Sequence, residues 1–254
     1  MPRNIIAGRP YSYHPFLHLA YEHMAGLGLR HVEIVVPKPD EVAATQAELA
    51  RWGLTPSSMH GECDVQRADL ARLVAAQMPT LAQFGCRILF VSVKAGELPR
   101  DVVYGRLREA GEAARPHGVT IVLETHPDLV TNAEVALATM RGVNHPNVRI
   151  NYDTANIYFY NEGIDGVAEL RKIAEFVAAV HLKDTNGGYR AWHFPALGRG
   201  IVKFPELFAV LDAAGFAGPC TLEIEGIEGE NRTERLVCDR MAESLGYLRG
   251  LGRL

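Results

Sequence analysis

Eight short runs rich in valine and isoleucine recur along the chain, and longer amphipathic segments separate them. This alternation predicts βα units around a parallel sheet, because parallel strands are buried on both faces and therefore consist of continuous apolar residues. The predicted strands are residues 4–7, 31–36, 55–60, 87–93, 120–124, 148–153, 177–181 and 220–225. Eight such units in 254 residues predict an α/β protein folded as a single (β/α)8 TIM barrel, with its active site at the C-terminal ends of the strands.

The segments between the predicted strands have helical periodicity. Several of them end in a glycine immediately before the next strand, which is typical of a helix C-terminus. An open doubly wound sheet is the alternative fold, but the sequence lacks its usual phosphate-binding loops: no GxGxxG follows the first strand, and no GxxxxGK followed by Ser or Thr occurs. Because no linker, low-complexity tract or charge block divides the chain, residues 1–254 are expected to form one domain.

The composition narrows the possible partners of the protein. A hydrophobic content of 48% supports a large core, and the formal net charge of −4 argues against a nucleic-acid binder, which needs a basic face. No apolar stretch approaches the roughly 18 to 20 residues that span a bilayer, and the first residues lack the apolar core of a signal peptide. The four scattered cysteines suit a reducing compartment. We therefore expect a cytoplasmic protein with a small-molecule substrate and no nucleic-acid or membrane partner, with homo-oligomerisation left open.

Ionisable side chains follow most of the predicted strands at the point where each strand ends. The third to eighth strands end in MHGECD, VSVKAG, LETHPD, NYDTAN, VHLKD and LEIEG. Strands five to eight carry, at equivalent positions, Glu124, Asp153, His181 and Glu223. Because the C-terminal ends of barrel strands converge on one face, we expect these four side chains to lie together.

Three carboxylates and one imidazole form a donor set that favours Mn²⁺, Mg²⁺ or Co²⁺ over the thiolate-rich sites of structural zinc. A divalent cation would also offset the repulsion between three carboxylates held in a barrel mouth. The alternative interpretation is that Glu124 or Glu223 simply forms an ion pair with a nearby cation. The candidates for that cation are Lys183, Lys94 and Arg199.

Five motifs of this chain, in their order and spacing, resemble those of the xylose isomerase-like barrels. They are LETHPD, YDTAN, VHLKD, ALGRG and GPCTLEIEG. This sugar phosphate isomerase/epimerase superfamily contains tagatose and allulose 3-epimerases, hydroxypyruvate isomerase, inosose dehydratase and endonuclease IV. The resemblance covers the whole chain and implies a divalent metal, with Mn²⁺ expected and Mg²⁺ or Co²⁺ as alternatives. The implied metal ligands are Glu124, Asp153, His181 and Glu223, of which Glu124 and Glu223 would also be the catalytic bases.

The activity that the resemblance implies is the isomerisation or epimerisation of a sugar or keto-sugar, by proton transfer through a metal-stabilised enediolate. The alternative is a metal-dependent lyase or dehydratase that acts on a keto-sugar, keto-glycoside or inosose. A third hypothesis is a sugar-binding barrel without catalytic activity. The resemblance also implies five substrate-binding residues: His60, Glu62, His126, Asn156 and Lys183.

Two positions depart from the pattern of the ketohexose 3-epimerases in this superfamily. Asn156 lies three residues after Asp153, where those enzymes usually carry His. Gly187 lies six residues after His181, where they carry a substrate-binding Arg, and Arg190 could replace it only if the loop is rearranged. Epimerisation of free ketohexoses is therefore less expected than a reaction on another sugar. Asn156 also argues against the trinuclear zinc site of endonuclease IV.

The seventh strand end leaves two questions open. Lys183, together with His126, could donate a proton to a departing hydroxyl, which would favour the lyase, or Lys183 could be a counter-ion for Asp184. The long segment TNGGYRAWHFPALGRG that follows predicts a mobile lid whose aromatic residues stack on a sugar, with surface packing as the alternative. Its ALGRG turn and Arg199 could bind a phosphate, although a single Arg is weak evidence for such a site.

Overall fold

Eight parallel strands close into a barrel surrounded by helices, which confirms the predicted (β/α)8 architecture. The computed structural model describes residues 4–254. The barrel strands are β1 (Ile5–Gly8), β2 (His31–Val35), β3 (Thr55–His60), β4 (Ile88–Val91), β5 (Thr120–Glu124), β6 (Val148–Asp153), β7 (Val177–Leu182) and β9 (Pro219–Leu222). Each strand pairs with the next along the chain, and β9 closes the barrel by pairing with β1.

The predicted and observed strands differ mainly at their ends. The fourth strand is shorter than predicted, and the eighth barrel strand ends at Leu222 instead of residue 225. Beyond Leu222 the chain leaves the barrel wall, and β10 (Gly226–Ile227) pairs in antiparallel fashion with β8 (His193–Phe194). The polar LEIEG motif therefore lies at the barrel mouth and not inside the last strand.

Helices cover the outside of the barrel and include the eight that the sequence predicts. Their bounds are α1 (Ala20–Gly26), α2 (Val42–Trp52), α3 (Leu70–Gln83), α4 (Arg100–Ala114), α5 (Ala133–Val143), α6 (Asn156–Phe159), α7 (Gly166–Ile173), α8 (Phe204–Ala213) and α9 (Glu234–Gly250). Polar side chains cap three of them: Asn132 accepts a hydrogen bond from the α5 backbone, Asp165 from α7, and Thr233 from α9. No helix of residues 4–254 is long and apolar enough to cross a membrane.

The interior of the barrel is apolar at its base and polar at its mouth. The large hydrophobic core lies between the strands and the helices, whereas Phe90, Val122 and Ala179 form a separate small cluster. The ring of Phe90 lies 4.5 Å, centroid to centroid, from the imidazole of His181. Phe90 therefore contacts the first polar side chain of the site and separates it from the apolar base.

Candidate active site

The four residues assigned to a metal come from neighbouring strands. Glu124 and Asp153 end β5 and β6, His181 is the last residue but one of β7, and Glu223 follows β9 directly. Asp153 pairs in register with His181, which places the two side by side. All four are buried, and one donor atom from each lies within 4.8 Å of the others. The structure thus brings together the four side chains that the sequence singled out.

The polar atoms at the centre of this four-residue cluster are arranged as a cation site would require. His181 Nδ1 lies 3.3 Å from Glu223 Oε2, 3.8 Å from Glu124 Oε1 and 4.0 Å from Asp153 Oδ2. Both His181 Nδ1 and Asp153 Oδ2 are buried, and neither has a hydrogen-bond partner within residues 4–254. Buried polar atoms without partners are unfavourable, and a cation bound by three oxygens and one nitrogen would satisfy both. The donor set suits Mn²⁺ or Mg²⁺.

The charge balance at the barrel mouth also favours a cation. Two basic side chains, Arg9 and Lys183, lie among the carboxylates of this region. The carboxylates are Glu33, Glu124, Asp153, Glu223 and Glu225. If His181 is neutral, the carboxylates exceed the basic groups by three charges, and a divalent ion would offset most of this excess.

Glu33 of β2 holds the far side of the His181 ring, and the sequence analysis did not identify it. His181 Nε2 lies 3.1 and 3.2 Å from the two carboxylate oxygens of Glu33. Ser58 Oγ donates a hydrogen bond of 2.7 Å to Glu33, and Arg9 Nε lies 3.7 Å away. An Nε2–H donated to Glu33 leaves the Nδ1 lone pair directed at the cluster. The signal in the sequence was a lone charge within the apolar run HVEIVV.

Lys183 is a buried cation that pairs with the carboxylates of the cluster. Its Nζ lies 3.2 Å from Glu223 Oε2 and 3.7 Å from Asp153 Oδ2, and it also pairs with Glu225. A hydrogen bond of 3.3 Å joins Nζ to Asn156 Oδ1. The expected pairing of Glu223 with Lys183 is therefore present, but it occurs inside the cluster and does not replace it.

The interpretation of Lys183 as a counter-ion for Asp184 is wrong. The carboxylate of Asp184 accepts backbone N–H groups from Gly198 at 2.9 Å, Gly200 at 2.8 Å and Val202 at 3.1 Å. Because Asp184 already occupies these donors, the ALGRG turn cannot offer them to a phosphate. Arg199 pairs with Glu243 on the outer surface.

Glu124 is held by three neighbours. Ser92 Oγ donates a hydrogen bond to it, His126 Nε2 lies 3.2 Å from its Oε2, and Asn156 Nδ2 lies 3.4 Å from its Oε1. Burial works against the ionised form of Glu124, but His126, which hydrogen-bonds to it, and His181 together outweigh burial and hold the pKa of Glu124 below its usual value. Glu124 is therefore a carboxylate at neutral pH.

Arg9, which follows β1, is the second residue that the sequence analysis missed. Its guanidinium pairs with Glu223, and its Nη2 lies 3.3 Å from His60 Nδ1. Arg9 obeys the same strand-end rule as the cluster, so the rule could have found it had it been applied to the first strand.

The remaining pKa values in the cluster follow from burial and charge. Burial raises the pKa of Asp153 to about 7. Burial opposes ionisation of Glu223 as well, but Lys183, Arg9 and His181 hold the pKa of that carboxyl well below its usual range. The pKa of His181 is raised above its ordinary value, because Glu33 and Glu223 outweigh the effect of burial.

The five residues expected to bind substrate do not all face one cavity. His126, Asn156 and Lys183 line a cavity of about 190 Å³ above the cluster. His60 instead lines a separate cavity of about 510 Å³. Glu62 lines neither of these cavities: its side chain is exposed, and Gln77 of α3 hydrogen-bonds to both its backbone N–H and its carbonyl. Its role in substrate binding stays a prediction.

The segment predicted as a mobile lid is held in place at its middle and at its C-terminal end. Its strand β8 pairs with β10, and its ALGRG turn is bound to Asp184. Trp192 and Phe194 line the 190 Å³ cavity, as expected for aromatic residues that face a sugar. Phe159 packs edge-on against Trp192, and the Phe194 ring lies 4.4 Å from Lys183 Nζ. The segment is therefore a wall of the cavity.

Comparison with known proteins identifies a family that matches most of the chain. Residues 21–247 match the sequence profile of a family described as xylose isomerase-like TIM barrel. An L-ribulose-5-phosphate 3-epimerase of Salmonella paratyphi C is 28% identical over 127 residues, which cover 49% of this chain and 43% of that protein. An inosose dehydratase of Geobacillus thermodenitrificans is 27% identical over 141 residues, which cover 49% of this chain and 47% of that protein. The matched segment therefore spans less than half the length of these curated relatives.

A solved structure shares the complete fold. A D-allulose 3-epimerase of Methylomonas sp., in complex with D-allulose, superposes with a TM-score of 0.76 and covers 98% of both chains at 18% identity. At this identity the likeness concerns the fold alone.

Proposed function

The chain belongs to the xylose isomerase-like TIM-barrel family, and from this we propose that it is a divalent-metal-dependent isomerase or epimerase of a sugar or keto-sugar. The observation that carries the proposal is the buried convergence of Glu124, Asp153, His181 and Glu223 within 4.8 Å. The relatives described as a ribulose-phosphate epimerase and an inosose dehydratase support an enzymatic role and a carbohydrate substrate.

The same four residues would hold the metal ion, for which Mn²⁺ is our proposal and Mg²⁺ or Co²⁺ the alternatives. When bound, a divalent cation would polarise a carbonyl and a neighbouring hydroxyl of the sugar and stabilise the enediolate that forms on proton removal. Glu33 fixes the His181 ring so that Nδ1 faces the site, and Phe90 supports the ring from below.

Glu124 and Glu223 are the residues that would move the proton. Both have pKa values below the ordinary value: burial opposes ionisation, but His126 and His181 together outweigh it at Glu124, and Lys183, Arg9 and His181 together outweigh it at Glu223. Each is therefore ionised at neutral pH and can accept a proton. Glu124 comes from the first and Glu223 from the last of the four strands that supply the cluster, so a substrate above the cluster would have one glutamate on each side. Removal by one and return by the other would invert a carbon.

A dehydratase is the second candidate, and the position of Lys183 favours it. Burial favours the neutral amine, but Glu223, Asp153 and Glu225 together outweigh it and raise the pKa of Lys183, so the side chain remains an ammonium. This ammonium lines the same cavity as Glu124 and Glu223. It can donate a proton to a departing β-hydroxyl while a glutamate removes the neighbouring C–H proton.

Exchange of substrate C–H protons with D₂O tests the proposal. The Mn²⁺-loaded protein should exchange one proton of at least one sugar in a panel of aldoses, ketoses, inososes and their phosphates, as followed by NMR. Chelation, Glu124→Gln or Glu223→Gln should each remove the exchange. Glu243→Gln, at a carboxylate that pairs with Arg199 outside the site, is the matched control and should retain it.

The products separate the two candidates. An isomerase or epimerase gives a product of unchanged mass, whereas a dehydratase gives one that has lost water and absorbs in the ultraviolet. Exchange that survives in both glutamine variants, or no exchange of any panel sugar by the loaded protein, would contradict the proposal.

A further inference from the structure

A second and larger cavity opens beside the cluster. Its volume is about 510 Å³, against about 190 Å³ for the cavity above Glu124 and Glu223. Pockets that enclose a ligand of drug-like size measure roughly 300–1,000 Å³, a range that only the larger of the two reaches. The smaller cavity therefore suits a single sugar ring and leaves the larger one without an assigned ligand.

One side chain lies between the two cavities. Arg9 lines both of them, between Glu223 in the smaller cavity and His60 in the larger. Glu33, which holds His181, lies at the inner end of the larger cavity. A molecule that reaches from one cavity into the other would therefore pass within contact of the cluster.

The outer part of the larger cavity is apolar and aromatic. Its lining residues include Tyr11, Leu17, Tyr21, Val35, Val36 and Pro37. Three of these are unusually exposed for their type: Val35 at 70%, Tyr11 at 53% and Leu17 at 47%. Exposed apolar residues gathered in one concavity are typical of a binding surface, because covering them removes apolar area from water.

The charges of this cavity argue against an anionic ligand. Among the residues that the structure describes, Arg9 is the only Lys or Arg that lines this cavity, and it already pairs with Glu223 and Glu33. The other charged residues of the lining are the acids Glu33 and Glu41. A phosphate or carboxylate would therefore find no free cation here, whereas a neutral apolar group would find matching walls.

We propose that the substrate is a conjugate in which the sugar ring carries a neutral, largely apolar ring substituent, and that the larger cavity binds this substituent. This proposal rests on the proposed function, because it assumes that the sugar ring lies above the cluster. The two tyrosines, Tyr11 and Tyr21, supply flat faces on which an aromatic ring can stack.

Paired glycosides test the inference by equilibrium binding. The probes are the 4-nitrophenyl and methyl glycosides of glucose, galactose and xylose, titrated into the Mn²⁺-loaded protein by calorimetry. In at least one pair the nitrophenyl glycoside should bind about tenfold more tightly or better, since burying one aromatic ring has an effect of at least this size. A difference below about twofold in every pair would overturn the inference.

A double variant tests whether the larger cavity causes the tighter binding of the nitrophenyl glycoside. Leu17→Gln combined with Val35→Gln makes the outer part of the larger cavity polar without changing its charge. Both side chains are exposed, so the substitutions do not disturb the core. The nitrophenyl advantage should fall to about threefold or less in this variant. Val102→Gln, at an exposed valine of α4 that does not line the cavity, should leave the advantage intact. An advantage that persists in the double variant overturns the inference.

Analytical sedimentation tests whether a second copy of this chain covers the larger cavity instead of a ligand. A dimer that the double variant dissociates would make the cavity a subunit interface and overturn the inference. Because the titrations require no turnover, they also separate this inference from the proposed function. Tight nitrophenyl binding without any C–H exchange would refute only the proposed reaction, and exchange without a nitrophenyl advantage would refute only the assignment of the cavity.

Discussion

Replacement of Glu33 by Gln should weaken metal binding without removing a proposed ligand. Gln keeps the size of the side chain but loses the charge that accepts the Nε2–H of His181 at 3.1 and 3.2 Å. A hydrogen bond to a charged group contributes roughly 1.5–3 kcal/mol, and about 1.4 kcal/mol corresponds to a factor of ten in affinity. If about 1.4–2 kcal/mol of this contribution is lost, Glu33→Gln should bind Mn²⁺ roughly 10- to 30-fold more weakly, within the range known for outer partners of metal-bound histidines.

Calorimetry with Mn²⁺ measures the affinity, and two variants serve as controls, one for the loss of a charge and one for the loss of a neighbour of Glu33. Glu225→Gln removes another carboxylate of the barrel mouth, one that pairs with Lys183 and does not contact His181. Ser58→Ala removes the hydroxyl that holds Glu33 while leaving the carboxylate in place. We expect a loss of about threefold or less for each, because neither changes the acceptor of the His181 proton directly.

The ring of His181 provides a second readout. Long-range ¹H–¹⁵N NMR of the Mg²⁺-loaded protein should detect the Nε2–H proton of His181, and its resonance should move upfield in Glu33→Gln because the proton is no longer donated to a carboxylate. Equal losses in Glu33→Gln and Glu225→Gln, with an unchanged Nε2–H resonance, would refute the reasoning and leave only a general effect of charge.

Three further predictions follow from the same geometry. Metal affinity should rise with pH through about 7, because the metal must displace protons from Asp153 and His181. Burial raises the pKa of Asp153 to about 7, and the pKa of His181 is raised by its carboxylate neighbours. Calorimetry in buffers of different ionisation enthalpy should detect the released protons. Mn²⁺ at about 100 times its Kd should stabilise the fold by about 2.7 kcal/mol, which raises the Tm by roughly 5–10 °C in differential scanning calorimetry. Asp153→Asn should abolish this shift. Gly200→Ala should destabilise the protein by roughly 1–3 kcal/mol in urea unfolding, since its Cβ would lie 2.2 Å from the Thr185 carbonyl oxygen. Gly246→Ala, in a helix with open space around the position, should be neutral or slightly stabilising, and equal effects of the two substitutions would contradict the packing argument.

The fold could be predicted from the sequence because its local signals agree with one another. Each apolar run is short, each helical segment is amphipathic, and glycines such as Gly53 and Gly118 end helices in the left-handed conformation, with φ of 64° and 63°. The four cluster residues could be predicted because strand order alone brings the ends of parallel strands together.

The rest of the site depends on contacts between residues far apart in the chain. Glu33 lies 148 positions from His181, and Arg9 lies 214 positions from Glu223, so no local pattern links either pair. Glu62 illustrates a related limit: the strand-end rule gives the face on which a residue lies, but the hydrogen bonds from Gln77 of α3 hold the backbone of Glu62 where its side chain is exposed. The same holds for Asp184, whose partners are backbone groups of a turn and not the adjacent lysine.

Anomalous diffraction from crystals soaked in Mn²⁺ tests the central claim most directly, since the account rests on one cation held by four side chains. We predict a single strong peak at the Mn edge, bounded by Glu124, Asp153, Glu223 and the Nδ1 atom of His181. A peak elsewhere in the barrel, or no peak at millimolar Mn²⁺ with these four side chains ordered, would contradict the account.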